Sequence, residues 1–183
     1  ARVLEQIYPD HAENLPDIPM ALLQGTTNNL LLSGEQGVTG IMVDDPASFF
    51  NLVNSTYYNS ADNIIPDTSG GNELQYIRSI DNAAFEYAEY IQNIANAGNN
   101  TVDYANNSLS VQLSTAAKLI SGGMYSPFYV VYQGGYDTHA NQINRHGILM
   151  SDLSLALNNF YNDLENQGLA DKVIIMTTSE FGR

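Results

Sequence analysis

The sequence predicts an α/β domain built on a mostly parallel sheet flanked by helices. Two observations carry this reading. Residues 128–133 (FYVVYQ) and 173–178 (VIIMTT) are short apolar runs, rich in β-branched and aromatic residues and without helical period. That is the pattern of strands buried on both faces. Between them, about residues 144–166, Ile148, Leu149, Leu153, Leu157, Phe160 and Leu164 fall on one helical stripe, and Gly168 caps its end. Strand, helix and strand in this order normally make two parallel strands joined by a right-handed crossover. Residues 128–183 are therefore expected to form one such unit, and residues 1–183 a single α/β domain.

The remaining elements follow from the same patterns. Residues 1–35 mix Pro, Asp and Asn with short apolar stretches and yield no clear element. Residues 38–43 (VTGIMV) read as a short strand that Asp44-Asp45-Pro46 ends. Residues 47–54 suit one or two helical turns. Residues 55–72 (STYYNSADNIIPDTSGGN) read as a long polar loop, of a length that is usually functional. From Glu73 to about Ala97, Leu74, Ile77, Ile80, Ala84, Phe85, Ala88, Ile91, Ile94 and Ala95 recur at spacings that mark one buried helical stripe. Gly98-Asn99-Asn100 stops that helix. A second helix fits residues 109–120 and stops at Gly122-Gly123.

Composition removes several functions. A length of 183 residues with 44% hydrophobic residues suits one domain with a real core. Six Lys plus Arg stand against twenty Asp plus Glu, for a formal net charge of −14. A basic nucleic-acid footprint is absent, and such acidity suits solubility in a salty or extracellular setting. Cysteine is absent, which excludes disulfides and thiolate metal sites. No apolar run approaches the roughly 18 residues that span a membrane. The sequence starts at Ala1 and stops at Arg183, directly after a strand-like run. The expectation is a piece of a larger protein, inactive when isolated.

In open parallel sheets, ligands bind beyond the carboxyl ends of the strands. Residues 128–133 run out into Gly134-Gly135-Tyr136-Asp137-Thr138-His139, and residues 173–178 into Ser179-Glu180-Phe181-Gly182-Arg183. Parallel pairing would bring both segments to one edge. Asp137 and His139 alternate in an extended segment and so point the same way. Two carboxylates and an imidazole, from Asp137, His139 and Glu180, suit a divalent metal such as Zn, Mn, Mg or Ca. Arg183 and Arg145 are the candidate fork-shaped donors to an oxyanion. Simpler roles exist for each residue. His139 can bond the loop backbone, Glu180 can serve as an acid at a helix N-terminus, and Arg183 can be its ion-pair partner. His146 lies seven residues after His139 and suits either the rim of the site or a solvated helix face. No phosphate-cradling P-loop, G-x-G-x-x-G or G-x-S-x-G elbow is present.

The motifs GGYDTHANQ (134–142) and RHGILMSDLSLALNNFYNDLENQGLADKVIIMTTSEFGR (145–183), with their separation, resemble the bacterial family called domain of unknown function 1501. The resemblance covers about residues 108–183. That family is similar to the alkaline-phosphatase and sulfatase superfamily. The resemblance implies an α/β/α sandwich with metal ligands at strand ends, a phosphate or sulfate ester as substrate, either a small molecule or a polymer, and a periplasmic or extracellular location. Asp137 and His139 match the superfamily's first ligand position. Ser179-Glu180-Phe181-Gly182 stands where better-studied relatives have an Asp-His-Gly-like segment. Glu180 can replace Asp as an oxygen ligand, whereas Phe181 cannot replace His. No residue matches the superfamily's nucleophilic Ser or Thr. The alternative is a non-catalytic binding or surface-assembly protein that keeps the fold and a structural cation.

Overall fold

The computed structural model describes residues 2–15, 18–25, 40–55, 67–139 and 142–179. Along these residues run α1 (Arg2–Ile7), α2 (His11–Asn14), β1 (Ala21–Leu23), β2 (Gly40–Met42) and α3 (Pro46–Ser55). The long α4 (Ser69–Ala97), α5 (Ser108–Ser121), β3 (Phe128–Val130) and α6 (Gln142–Asn166) follow, and the 3-10 turn Ala170–Lys172 comes after them.

The strands form one parallel sheet in the order β2-β1-β3. Leu22 of β1 stands in register with Ile41 of β2 and Tyr129 of β3, so these three side chains share a face. That face packs on Tyr87, Ile91 and Ala95 of α4, Leu119 of α5 and Phe49 of α3. A second cluster joins Leu109, Leu113 and Ala117 of α5 to Ala156, Phe160 and Leu164 of α6, with Tyr129 and Val131 against it. Tyr129 therefore bridges the two clusters. Each fully buried Leu or Ile in them contributes about 1.5–3 kcal/mol. On the reverse face Ala21 and Leu23 are also buried, and the ring of Tyr8, just after α1, meets Phe128 edge-on at 6.0 Å.

Local chemistry sets the helix ends. Thr68 caps α4 by accepting from the Gly71 N–H at 3.2 Å, and Asn107 caps α5 by accepting from the Ser110 N–H at 2.8 Å. Past α6, Gly168 takes a positive φ of 69°. The Gly168 N–H donates to the Glu165 carbonyl and the Leu169 N–H to that of Leu164, and Leu169 packs beside Leu164. This is a Schellman ending with its hydrophobic contact. The ends of α4 and α5 lock together: the Asn99 N–H donates to Ser121 Oγ at 3.0 Å, and that hydroxyl donates to the Asn99 carbonyl at 2.9 Å.

A buried carboxylate ties the 98–107 loop to α6. Asp163 is fully buried and accepts from Asn100 Nδ2, the Thr101 N–H, Thr101 Oγ1, Tyr104 OH and Gln167 Nε2 at 2.7–3.0 Å. Burial alone would raise the pKa of this carboxyl. The donors from Asn100, the Thr101 backbone and hydroxyl, and Tyr104 outweigh burial and hold it below the ordinary Asp value. Burial and then the Asp163 charge raise the Tyr104 phenol. A folded pKa below the unfolded one gives stability that is present above the ordinary Asp range, about 4, and is lost as pH falls through the folded value. Acid unfolding followed by circular dichroism should show this loss, and Asp163→Asn should flatten that part of the profile.

The structure departs from the sequence expectations at four places. The central strand β1 lies within residues 1–35, where no element was expected, because three residues carry no readable period. Helix α4 starts at Ser69 rather than Glu73, since the Thr68 cap carries it through Ser69-Gly70-Gly71. The expected 55–72 loop is shortened accordingly, and its residues 56–66 lie outside the described ones. Strand β3 is shorter than 128–133, because its neighbour β1 leaves the sheet. Residues 173–178, expected as a parallel strand beside 128–133, form no ladder with any described residue. Val173 packs against the α5–α6 cluster, while Ile174 is 94% and Met176 87% exposed. An apolar run becomes a strand only where a neighbouring backbone meets it, and its composition does not name that neighbour.

Candidate functional site

The site is built where β3 leaves the sheet. The last contact with β1 is the Gln24 N–H donating to the Val130 carbonyl at 2.9 Å. At Gly25 the chain takes φ 114° and its N–H donates to Asp44 Oδ1 at 2.8 Å. A side chain there would be strained, and its Cβ would press on Tyr132 Cβ at 3.3 Å. Beyond this point Tyr132 is held by Gln112 of α5. The Tyr132 N–H donates to Gln112 Oε1 at 2.7 Å, and Gln112 Nε2 donates to the Tyr132 carbonyl at 3.0 Å.

The following turn folds back on α6. Tyr136 OH donates to Gln133 Oε1 at 2.7 Å, and Gln133 Nε2 donates to the Leu149 carbonyl at 3.1 Å. Gly135, at φ 94°, permits the reversal. A Cβ there would stand 3.7 Å from Arg145 Nη2, which places that guanidinium beside the turn. The Tyr136 ring meets the His146 imidazole edge-on at 6.2 Å. At the tip, His139 Nε2 and Asp137 Oδ2 lie 3.0 Å apart, with side chains 89% and 68% exposed.

The structure thus brings Asp137 and His139 together and sets Arg145 and His146 along the same turn. Glu180 and Arg183, expected at this edge, lie outside the described residues, as does Phe181. Among the described residues no group of three or more His, Cys, Asp and Glu side chains converges as a metal cluster, and no helix is long and apolar enough to cross a membrane. The two glutamines that shape the site were not singled out from sequence. A Gln on the buried face of α5, four residues after Ser108, is the one cue to Gln112. His11 bonds the Ile18 carbonyl through Nε2 at 2.8 Å, away from this turn.

Residues 89–183, slightly more than half of the chain, match the family described as Protein of unknown function (DUF1501). The chain belongs to this family. The DUF1501 match takes in α5, β3, the Asp137–His139 turn and α6, and leaves out β1 and β2. Among the described residues, two of the three strands of the sheet in this DUF1501 member therefore precede the matched region. No curated protein and no solved structure matches the chain.

A groove of about 420 Å³ lies elsewhere, lined by Asn100, Asp103, Tyr104, Asn106, Val111 and Ser114. Its Asn100 amide and Tyr104 hydroxyl are spent on Asp163 and Ser114, and none of its lining residues belongs to the turn that carries Asp137 and His139.

Proposed function

We propose that this chain carries part of the metal and oxyanion site of an exported, hydrolase-like protein. That protein would act on phosphate or sulfate esters within the alkaline-phosphatase and sulfatase superfamily. The observation that carries the reading is the 3.0 Å approach of Asp137 Oδ2 and His139 Nε2 beyond the carboxyl end of a parallel strand. Two ligand atoms, each about 2.1 Å from one ion, stand about 3.0 Å apart when they subtend roughly a right angle. The separation, that of a hydrogen-bonded pair as it stands, also suits two ligands of a single divalent ion. An imidazole with a carboxylate suits Zn or Mn better than an all-oxygen site would. Glu180 is the expected third ligand.

When bound, the ion supplies Lewis-acid polarisation of the ester oxygen. The chain's own residues orient the substrate. Arg145, in the first turns of α6 and beside Gly135, presents a planar fork suited to a phosphate or sulfate oxygen. His146, held against Tyr136, borders the same turn.

The test uses the native protein that contains this chain, assayed on phosphate and sulfate monoesters with Zn, Mn, Mg or Ca. Metal-dependent turnover that falls about 100-fold or more in His139→Ala is expected. Phe181, where related enzymes carry a His, favours the second reading, a binding or surface-assembly protein with a structural cation. Metal binding without turnover of any ester in the native protein would select it.

A further inference from the structure

We infer that Gln112 is a positioning residue for the Asp137–His139 pair, its carboxamide standing in for the strand residue that β1 fails to supply. Residues two apart in a strand turn their N–H and C=O groups to the same side. Val130 turns its carbonyl to β1, where the Gln24 N–H meets it. Tyr132 therefore turns its N–H and C=O toward the space that β1 vacates at Gly25. The Gln112 amide occupies that space. It is 6% exposed, and its Oε1 lies 3.6 Å from where a Gly25 Cβ would stand.

The amide meets both backbone groups of Tyr132, the double contact a neighbouring strand makes. Its Nε2 also donates to Ser108 Oγ at 2.9 Å. Rotating the amide by half a turn would set its NH2 against the Tyr132 N–H, so one orientation is fixed. Gln112 thus extends the pairing of β3 by one residue and sets the direction in which the chain leaves the sheet. Gln133, the next residue, carries that order onward through Tyr136 and Leu149 to the turn. The inference rests on the metal-site reading for its consequence but not for its geometry.

The experiment combines hydrogen exchange with calorimetric titration of zinc, both on the native protein that contains this chain. Gln112→Leu keeps the volume and removes the three hydrogen bonds. Gln112→Glu keeps the acceptor for the Tyr132 N–H and is the second variant should the first fail to fold. Exchange across residues 131–139 is expected to quicken about tenfold or more in Gln112→Leu and by less in Gln112→Glu, while β1 and α4 keep their protection. Zinc affinity is expected to fall about tenfold with it. Asp163→Asn serves as the control, since it loosens the fold without touching this contact. Equal acceleration across residues 131–139 in that control, or unchanged exchange in Gln112→Leu, would overturn the inference. If the wild-type native protein binds no zinc, the metal reading falls while exchange still decides the role of Gln112. If zinc affinity is unchanged although exchange has quickened, Gln112 does not position the site.

Discussion

Asp163→Ala is expected to lower the unfolding free energy by about 3–5 kcal/mol, the range for removing one partner from a buried charged network. The carboxylate is the shared acceptor for five donors, and four of them come from Asn100, Thr101 and Tyr104 in the loop between α4 and α5. Alanine leaves the Thr101 N–H and the Asn100 amide inside the protein without that acceptor. Water entering the vacated space would offset part of the loss. Asp163→Asn should cost less, since one oxygen remains, but its NH2 must then face at least one donor. Urea unfolding of the three proteins gives the ranking. A loss under about 1 kcal/mol in the alanine variant would mean that the loop holds without its anchor, since ordinary surface changes stay within about 0.5 kcal/mol.

Gly98→Ala should destabilise by about 1–3 kcal/mol or more, the range for overpacking. This reverses the usual sign, because replacing Gly by Ala at an unstrained position stabilises by about 0.4–1 kcal/mol. Gly98 has an ordinary φ of −83°, so backbone strain is not the cause. Crowding is. A Cβ on Gly98 would collide with the Lys118 carbonyl and press on the Gly122 nitrogen, while a Cβ on Gly122 would collide with the Ile94 carbonyl. The obstacles are backbone atoms of α4 and α5, which cannot turn aside as a side chain can. Thermal unfolding should show a drop of about 2–4 °C per kcal/mol for a domain of this size. An unchanged or raised midpoint would show that the two helix ends separate freely.

Both effects concern features that were only partly legible in the sequence. Helices α4, α5 and α6 were readable because each carries a long apolar stripe and a glycine-rich stop. In the sequence the glycines signal stops, whereas the close crossing of two helix ends that Gly98 and Gly122 permit leaves no local sign. Asp163 stands on the core side of its own helix, three residues after Phe160 and next to Leu164. An Asp in an apolar stripe signals a buried partner set, but apart from Gln167 its partners lie some sixty residues away and leave no local trace. The three-residue strand β1 is too short for any period to show, although it is the centre of the sheet. Residues 173–178 carry a stronger strand pattern than β1 and form no ladder, since pairing depends on what lies alongside. The closeness of Asp137 and His139 follows in the sequence from their shared segment beyond a strand and from alternation, while their role does not. The Gln112 contact was not legible, because an amide that completes a strand has no sequence signature.

The proposed metal site requires Asp137 and His139 to hold one divalent ion together. Calorimetric titration of zinc into the native protein that contains this chain, and into its Asp137→Asn and His139→Ala variants, is the direct test. One ion is expected at this pair in the wild-type protein, with affinity reduced about tenfold or more in each single variant. The double variant should lose little beyond the worse single one, because two ligands of one ion act as a unit. Equal zinc binding by all four proteins, or none by the wild type, would contradict it.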